Sequence, residues 1–191
     1  MTQQRDENTR PGGQNPAGER QRPDGQNLSG GQRRSDGQAR MEAHLARTME
    51  ENNEQQRARL NGMMRSRSGG CSYADRTLTL HFPLDEWQAN RAGSLHGGML
   101  CTAFDMTMAA LARFYAGEKF APTVSLDVKY IRPVAVDDEL VVTAKATAAG
   151  RRITQLTAEA RSGRTGKLAA TAASVYLNVD TSRGGVDRII K

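Results

Sequence analysis

Hydrophobic residues follow two different periods along this chain. Thr77–Phe82 reads Thr-Leu-Thr-Leu-His-Phe, apolar at every second position, and Pro83 stops it. That is the pattern of a strand with one buried face. Segments at about 123–132, 137–149, 151–163 and 166–179 read as further strands, with Leu140-Val-Val-Thr-Ala-Lys-Ala the clearest alternation. Turn-forming residues at 133–138, Gly150 and 163–166 separate them. Between the first strand and the rest lies Asn90–Tyr115, NRAGSLHGGMLCTAFDMTMAALARFY, which reads as one long helix. From Gly93 to Ala112 its only acidic, basic or histidine side chains are His96 and Asp105. A helix apolar on all sides is normally enclosed. This one falls short of the ~20 uninterrupted apolar residues of a membrane span and carries Asp105 near its middle, so enclosure by a sheet is expected. A strand, a long central helix and four more strands joined mainly by hairpins give an α+β fold, a curved antiparallel sheet wrapped around one helix.

The N-terminal third has neither period. Residues 1–40 hold only Met1, Ala17, Leu28 and Ala39 as apolar side chains, among seven Gly and seven Gln. Such a segment cannot build a core, and we expect a disordered low-complexity tail. Residues 41–70 are expected to form a lead-in helix, broken at Asn61-Gly62, and then a hinge, Arg65-Ser-Arg-Ser-Gly-Gly70. The folded domain is expected over 71–180, with Trp87 as an apolar anchor before the central helix and residues 181–191 a loose Gly-containing tail. No signal-peptide h-region and no bilayer-length apolar run is present, so a cytoplasmic setting is expected.

Charge adds little. The net +6 divides as +3 over residues 1–70 (12 basic, 9 acidic) and +3 over the remainder (15 basic, 12 acidic), so neither part is a polybasic module. Arginines of the tail alternate with acids and lack interleaved aromatics, and no nucleic-acid partner is expected. Cys71 and Cys101 are too few for a disulfide framework and lack metal-ligand spacing. We therefore expect reduced thiols, Cys101 within the core, no metal and no cofactor. His81, on a strand, reads as structural.

The chemistry concentrates at the central helix. His96-Gly97-Gly98 stands where the chain enters it, and a helix start offers unpaired N–H groups and partial positive charge. Glycine lets a ligand approach those donors closely, as an oxyanion hole requires. Gly97 is the first candidate donor and Gly98 the second, with His96 orienting a carbonyl or holding the loop. Asp105 is the candidate general base or nucleophile, because a carboxylate stripped of water is a better base. Asn90 carries an amide that could position water, although Asn before a helix is also an ordinary cap. From His96 to Asp105 the helix rises ~13.5 Å and turns ~900°, so one chain does not bring entrance and carboxylate together. A two-fold dimer with antiparallel helices would, creating two shared sites.

Asn90, His96-Gly97-Gly98 and Asp105 at these spacings resemble the signature of PaaI-type hotdog-fold acyl-CoA thioesterases. The resemblance extends over about 80 residues more through Thr123-Val-Ser-Leu-Asp-Val-Lys-Tyr-Ile-Arg-Pro133 and Gly166-Lys-Leu-Ala-Ala170. It implies a hotdog fold, hydrolysis of an acyl- or aryl-CoA thioester, and active sites at subunit interfaces of a homodimer or dimer of dimers. It also implies a hydroxyl at Thr123 beside the carboxylate. Phe104, where that family commonly has a small residue, is expected to narrow the acyl pocket. Arg132, Arg151 and Arg152 are candidates for the coenzyme A phosphates, since guanidinium matches phosphate geometry. The alternative reading is a hotdog protein that binds acyl-CoA without turnover.

Overall fold

The computed structural model describes residues 30–117 and 119–180. Helix α1 spans Gly30–Glu50, continues as a π turn at Glu51–Gln55, and is followed by the single-turn α2, Leu60–Met63. Strands β1 (Arg67–Ser72) and β2 (Thr77–Pro83) lead through a 3₁₀ turn, Glu86–Gln88, into α3, Gly97–Ala116. Strands β3 (Thr123–Tyr130), β4 (Glu139–Ala149), β5 (Ile153–Ser162) and β6 (Leu168–Leu177) complete the chain. All six strands form one antiparallel sheet in the order β1-β2-β4-β5-β6-β3, wrapped around α3. This is the expected hotdog architecture.

The register explains how a twenty-residue helix lies against the sheet. Leu80 pairs with Val142 and Phe82 with Leu140, so β2 and β4 present one continuous apolar face. Further along, Ala144 pairs with Ala158 and Ala158 with Ala172, and all three are buried. Alanine on three neighbouring strands leaves room for the large side chains of α3, and Phe104, Met108 and Leu111 are each 0% exposed there.

Several boundaries differ from those read in the sequence. Helix α1 begins at Gly30, well inside the stretch expected to lack structure, while the rest of that tail and residues 181–191 lie outside the described residues. Its first turns are anchored by contacts the apolar count does not reveal. Gln38 donates to the Cys71 carbonyl and accepts from the Tyr73 N–H, and Gly37 packs directly on the Tyr73 ring. Asn61-Gly62 does not interrupt the helix there but lies within α2. A Cβ at Gly62 would stand 2.4 Å from Gln56 O and Arg57 Cα, so glycine serves close packing. The hinge at 65–70 is largely strand. β1 starts at Arg67 and pairs with β2 through a bulge between Ser68 and Cys71, where Gly70 adopts φ 96°. Trp87 is 44% exposed and is not part of the buried core. The buried residue of that turn is Gln88, whose Oε1 accepts from the Asp85 N–H at 2.7 Å and whose Nε2 lies on Met64 Sδ at 3.5 Å.

Candidate functional site

The approach to α3 is fixed by backbone hydrogen bonds. Leu95 N–H donates to Val134 O and His96 N–H to Gln88 O, both at 2.8 Å. Asn90 is tied into this loop and also lines the groove that Gly97 borders. Its Oδ1 accepts from the Ala92 and Ser94 N–H groups and its Nδ2 donates to Ser94 Oγ, so the amide holds the turn. His96 is the N-cap residue of α3, and its Nδ1 accepts from the Gly98 N–H at 2.9 Å. The Met99 and Leu100 N–H groups bond to His96 O. Of the donors at this helix start, only the Gly97 N–H has no acceptor among the described residues. The structure thus separates the glycine pair into a free donor and an occupied one.

Tyr130, at the end of β3, secures that donor. Its hydroxyl donates to Gly97 O at 3.1 Å and meets Cys101 Sγ at 3.0 Å. A Cβ on Gly97 would come within 3.3 Å of the Tyr130 ring. The hydrogen bond with Cys101, with lesser contributions from burial and from charge on that thiol, pushes the Tyr130 phenol up to about 12, so at neutral pH it remains a donor. Cys101 is therefore half-buried beside the helix entrance and does not belong to the core. Gly97, Tyr130, Arg132 and Val134 line a groove of about 300 Å³.

Asp105 lies two turns further along α3, on a face that the sheet does not cover. Gly98 and Thr102 lie on the same open face, and Cys101 is half-buried beside it. The carboxylate was expected to be buried, yet it is half-exposed in the single chain. Its geometry is nevertheless fixed. Thr123 Oγ1 donates to Asp105 Oδ1 at 2.8 Å, and the Tyr176 OH proton is shared between the same oxygen at 3.2 Å and the Asp105 backbone carbonyl at 3.3 Å. Burial and the neighbouring Asp105 charge push the Tyr176 phenol well above its ordinary range, which keeps it a donor. Both protein donors converge on Oδ1, and Oδ2 carries no partner among the described residues.

Entrance and carboxylate remain apart within one chain, because the eight residues from Gly97 to Asp105 rise about 12 Å along the helix. The arginines divide in the same way. Arg132 borders the entrance groove and donates to Leu168 O at 2.7 Å, whereas Arg151 and Arg152 sit exposed at the β4–β5 turn, at the other end of β6. Phe104 and Met108 face the sheet and do not shape the open side of α3.

Residues 92–169 match the family model described as Thioesterase superfamily. Acyl-coenzyme A thioesterase 13 of Mus musculus is 32% identical over 103 residues, 52% of this chain and 71% of that protein. The chain belongs to the thioesterase superfamily. The Homo sapiens protein of the same name is 33% identical over 91 residues, 46% of this chain and 62% of that one. Among solved structures, the E. coli PaaI protein from the phenylacetic acid degradation operon superposes with TM-score 0.64 at 17% identity, covering 75% of this chain and 96% of that one. Zebra fish thioesterase superfamily member 2 gives TM-score 0.62 at 17% identity, over 70% and 94%. These two likenesses concern the fold. Within this superfamily member, Tyr130 and Tyr176 are functional candidates that the sequence reading passed over. Tyr176 had a faint signal, being the one aromatic in the alanine-rich run Leu168–Leu177.

Proposed function

We infer that this chain hydrolyses acyl-CoA thioesters at sites shared between two copies, with Asp105 as the reacting carboxylate and the Gly97 N–H as the oxyanion donor. The observation that carries this reading is the fixed Asp105 carboxylate, one oxygen held by Thr123 and Tyr176 and the other unpartnered on an open helix face. In the reaction, Oδ2 takes a proton from water as its oxygen attacks the thioester carbon, or attacks that carbon itself. The carbonyl oxygen gains negative charge facing the Gly97 N–H of the partner copy, where a positioned donor contributes most. Collapse breaks the C–S bond, the coenzyme A thiolate takes up the proton, and the free acid leaves. The direct-attack route reaches the same products after water opens the mixed anhydride.

The need for two copies follows from the separation of the two groups along α3. An available surface supports it. β3 is an edge strand bearing exposed Val124 and Tyr130, next to the uncovered face of α3. Among the described residues no helix is long and apolar enough to cross a membrane, and two free thiols fit a reducing, cytoplasmic setting.

A thiol-release assay across short, long and aromatic acyl-CoAs tests the activity. Binding without turnover over the whole panel would favour an acyl-CoA-binding protein. Shared sites are tested by pairing two dead chains, Asp105→Asn and Gly97→Pro; proline is tolerated at a first helical position and removes the N–H. Each homo-oligomer should be inactive. In a purified mixed dimer one site combines both lesions and the other has neither, so about half the sites should work. A folded mixed dimer without activity would mean that each site is built within one chain.

A further inference from the structure

Away from the open face of α3, a cavity of about 210 Å³ lies between α1 and the last turns of α3. Arg40, His44 and Arg47 line it from one side of α1, and Arg113, Phe114 and Gly117 line it from α3. No carboxylate is among these residues. Arg113 is paired, through Nη1 to Glu51 Oε2 at 3.2 Å, and its Nη2 reaches Thr48 Oγ1 at 3.4 Å, but its Nε is buried without a partner. Arg40 and Arg47 form no ion pair or hydrogen bond with the described residues. The His44 ring is fixed by Nε2 bonding to Ala110 O at 2.9 Å and by contact with Phe114, which leaves Nδ1 free. Burial lowers the His44 pKa, the bond to Ala110 O opposes this, the charges of Arg113 and Arg47 add to the lowering, and Glu51 weakly opposes it.

Cations that line one cavity repel one another, and the arrangement needs a reason. Basic side chains near a helix C-terminus commonly cap its last carbonyls. Neither Arg40 nor Arg47 makes such a bond among the described residues, so capping does not account for them. With Arg113 balanced by Glu51, the two remaining guanidiniums leave a charge of about +2 among the described lining residues, which matches a phosphate dianion. The volume admits one phosphate group with its attachment, given about 30 Å³ for each water displaced.

We propose that this cavity between α1 and α3 binds a phosphate-bearing anion, gripped by Arg40 and Arg47 from α1 and by Arg113 from α3. Binding ties α1 to the end of the helix that carries Asp105. The site is independent of thioester hydrolysis, and the hydrolysis reading stands or falls separately.

The test uses the full chain at fixed ionic strength, titrated with inorganic phosphate and with glycerol 3-phosphate. Binding is followed by calorimetry and by the His44 ring resonance. Saturable binding is expected, with the His44 pKa rising as the anion arrives. Arg40→Gln together with Arg47→Gln should weaken binding at least tenfold while thioester hydrolysis measured without phosphate is retained. Both arginines are exposed, so the substitutions leave the core intact. Tighter binding of the monoester would identify a phosphorylated ligand, and equal or tighter binding of the free ion would identify phosphate itself. No saturable binding up to tens of millimolar, or equal binding by the double variant, would overturn the site.

Discussion

The two sides of α3 are built from neighbouring residues to opposite ends. On one side Phe104, Met108 and Leu111 are sealed under the sheet against strands whose alanines make room for them. On the other, Gly98, Thr102 and Asp105 face away from the sheet, with only Thr123 and Tyr176 reaching across to the carboxylate. The covered side is complete within one chain. The uncovered side holds the Asp105 carboxylate and, about 12 Å along the helix at the entrance, the free Gly97 N–H, which the proposed function pairs across two copies. Apolar burial thus specifies the fold of a single copy, while under the proposed function the chemistry is left for an assembly to finish.

Adjacent residues offer the sharpest way to break this contrast. Asp105→Asn keeps shape and removes the carboxylate proposed to react, and removal of a general base lowers kcat on the order of 10²–10⁴-fold. The melting temperature should scarcely change. Phe104→Ala empties a fully buried site at a cost of about 3–5 kcal/mol, which for a domain of this size lowers the melting temperature on the order of 10 °C. Thermal unfolding and kcat measured on both variants check the comparison. If Asp105→Asn were strongly destabilised, the carboxylate would belong to the core.

The tyrosine behind Asp105 predicts a smaller effect. A hydrogen bond to a charged group is worth about 1.5–3 kcal/mol, so Tyr176→Phe should lower kcat roughly 10–100-fold with KM nearly unchanged. Thr123→Ala should do the same and Thr123→Ser should restore activity. Unchanged kcat in both Tyr176→Phe and Thr123→Ala would mean that anchoring Oδ1 does not matter to the reaction.

The covered side was the legible one. Period-two alternation marked β2 and β4, and the long apolar run marked α3, because both patterns record burial against a face that one chain supplies. β1 escaped since Arg67-Ser-Gly-Gly-Cys-Ser72 is polar with two glycines and gives no alternation, and its pairing with β2 supplies what its side chains do not. The uncovered side misled for a related reason. Gly98, Cys101, Thr102 and Ala109 are small and weakly polar, equally at home under a sheet or beneath a partner, and the sequence does not separate the two. Which N–H stays free at Gly97-Gly98 depends on where the His96 ring turns, and Tyr130 and Tyr176 reach the site only through strand order, β3 lying beside β6.

The outer face of the sheet provides a third region, on neither side of α3, where the smallest effect is expected. Glu139 there accepts from His81 Nδ1 at 2.8 Å and pairs with Arg67. The hydrogen bond from His81 lowers the Glu139 pKa, burial opposes this, and Arg67 adds to the lowering. A carboxyl whose pKa is depressed on folding stabilises the protein above its unfolded value, ~4.3, and loses that contribution as pH falls through the folded value. Glu139→Gln should therefore lower the melting temperature at pH 7 by only about 1–3 °C, in keeping with a partly exposed ion pair worth ~1 kcal/mol or less. The difference from the parent chain should persist to about pH 5 and vanish below the depressed pKa, where the parent's own carboxyl is protonated. Turnover at pH 7 should be unchanged, because this network touches neither Gly97 nor Asp105. A large loss of turnover in a folded Glu139→Gln protein would show that the outer face takes part in the chemistry, and the division between a covered side for folding and an uncovered side for reaction would fail.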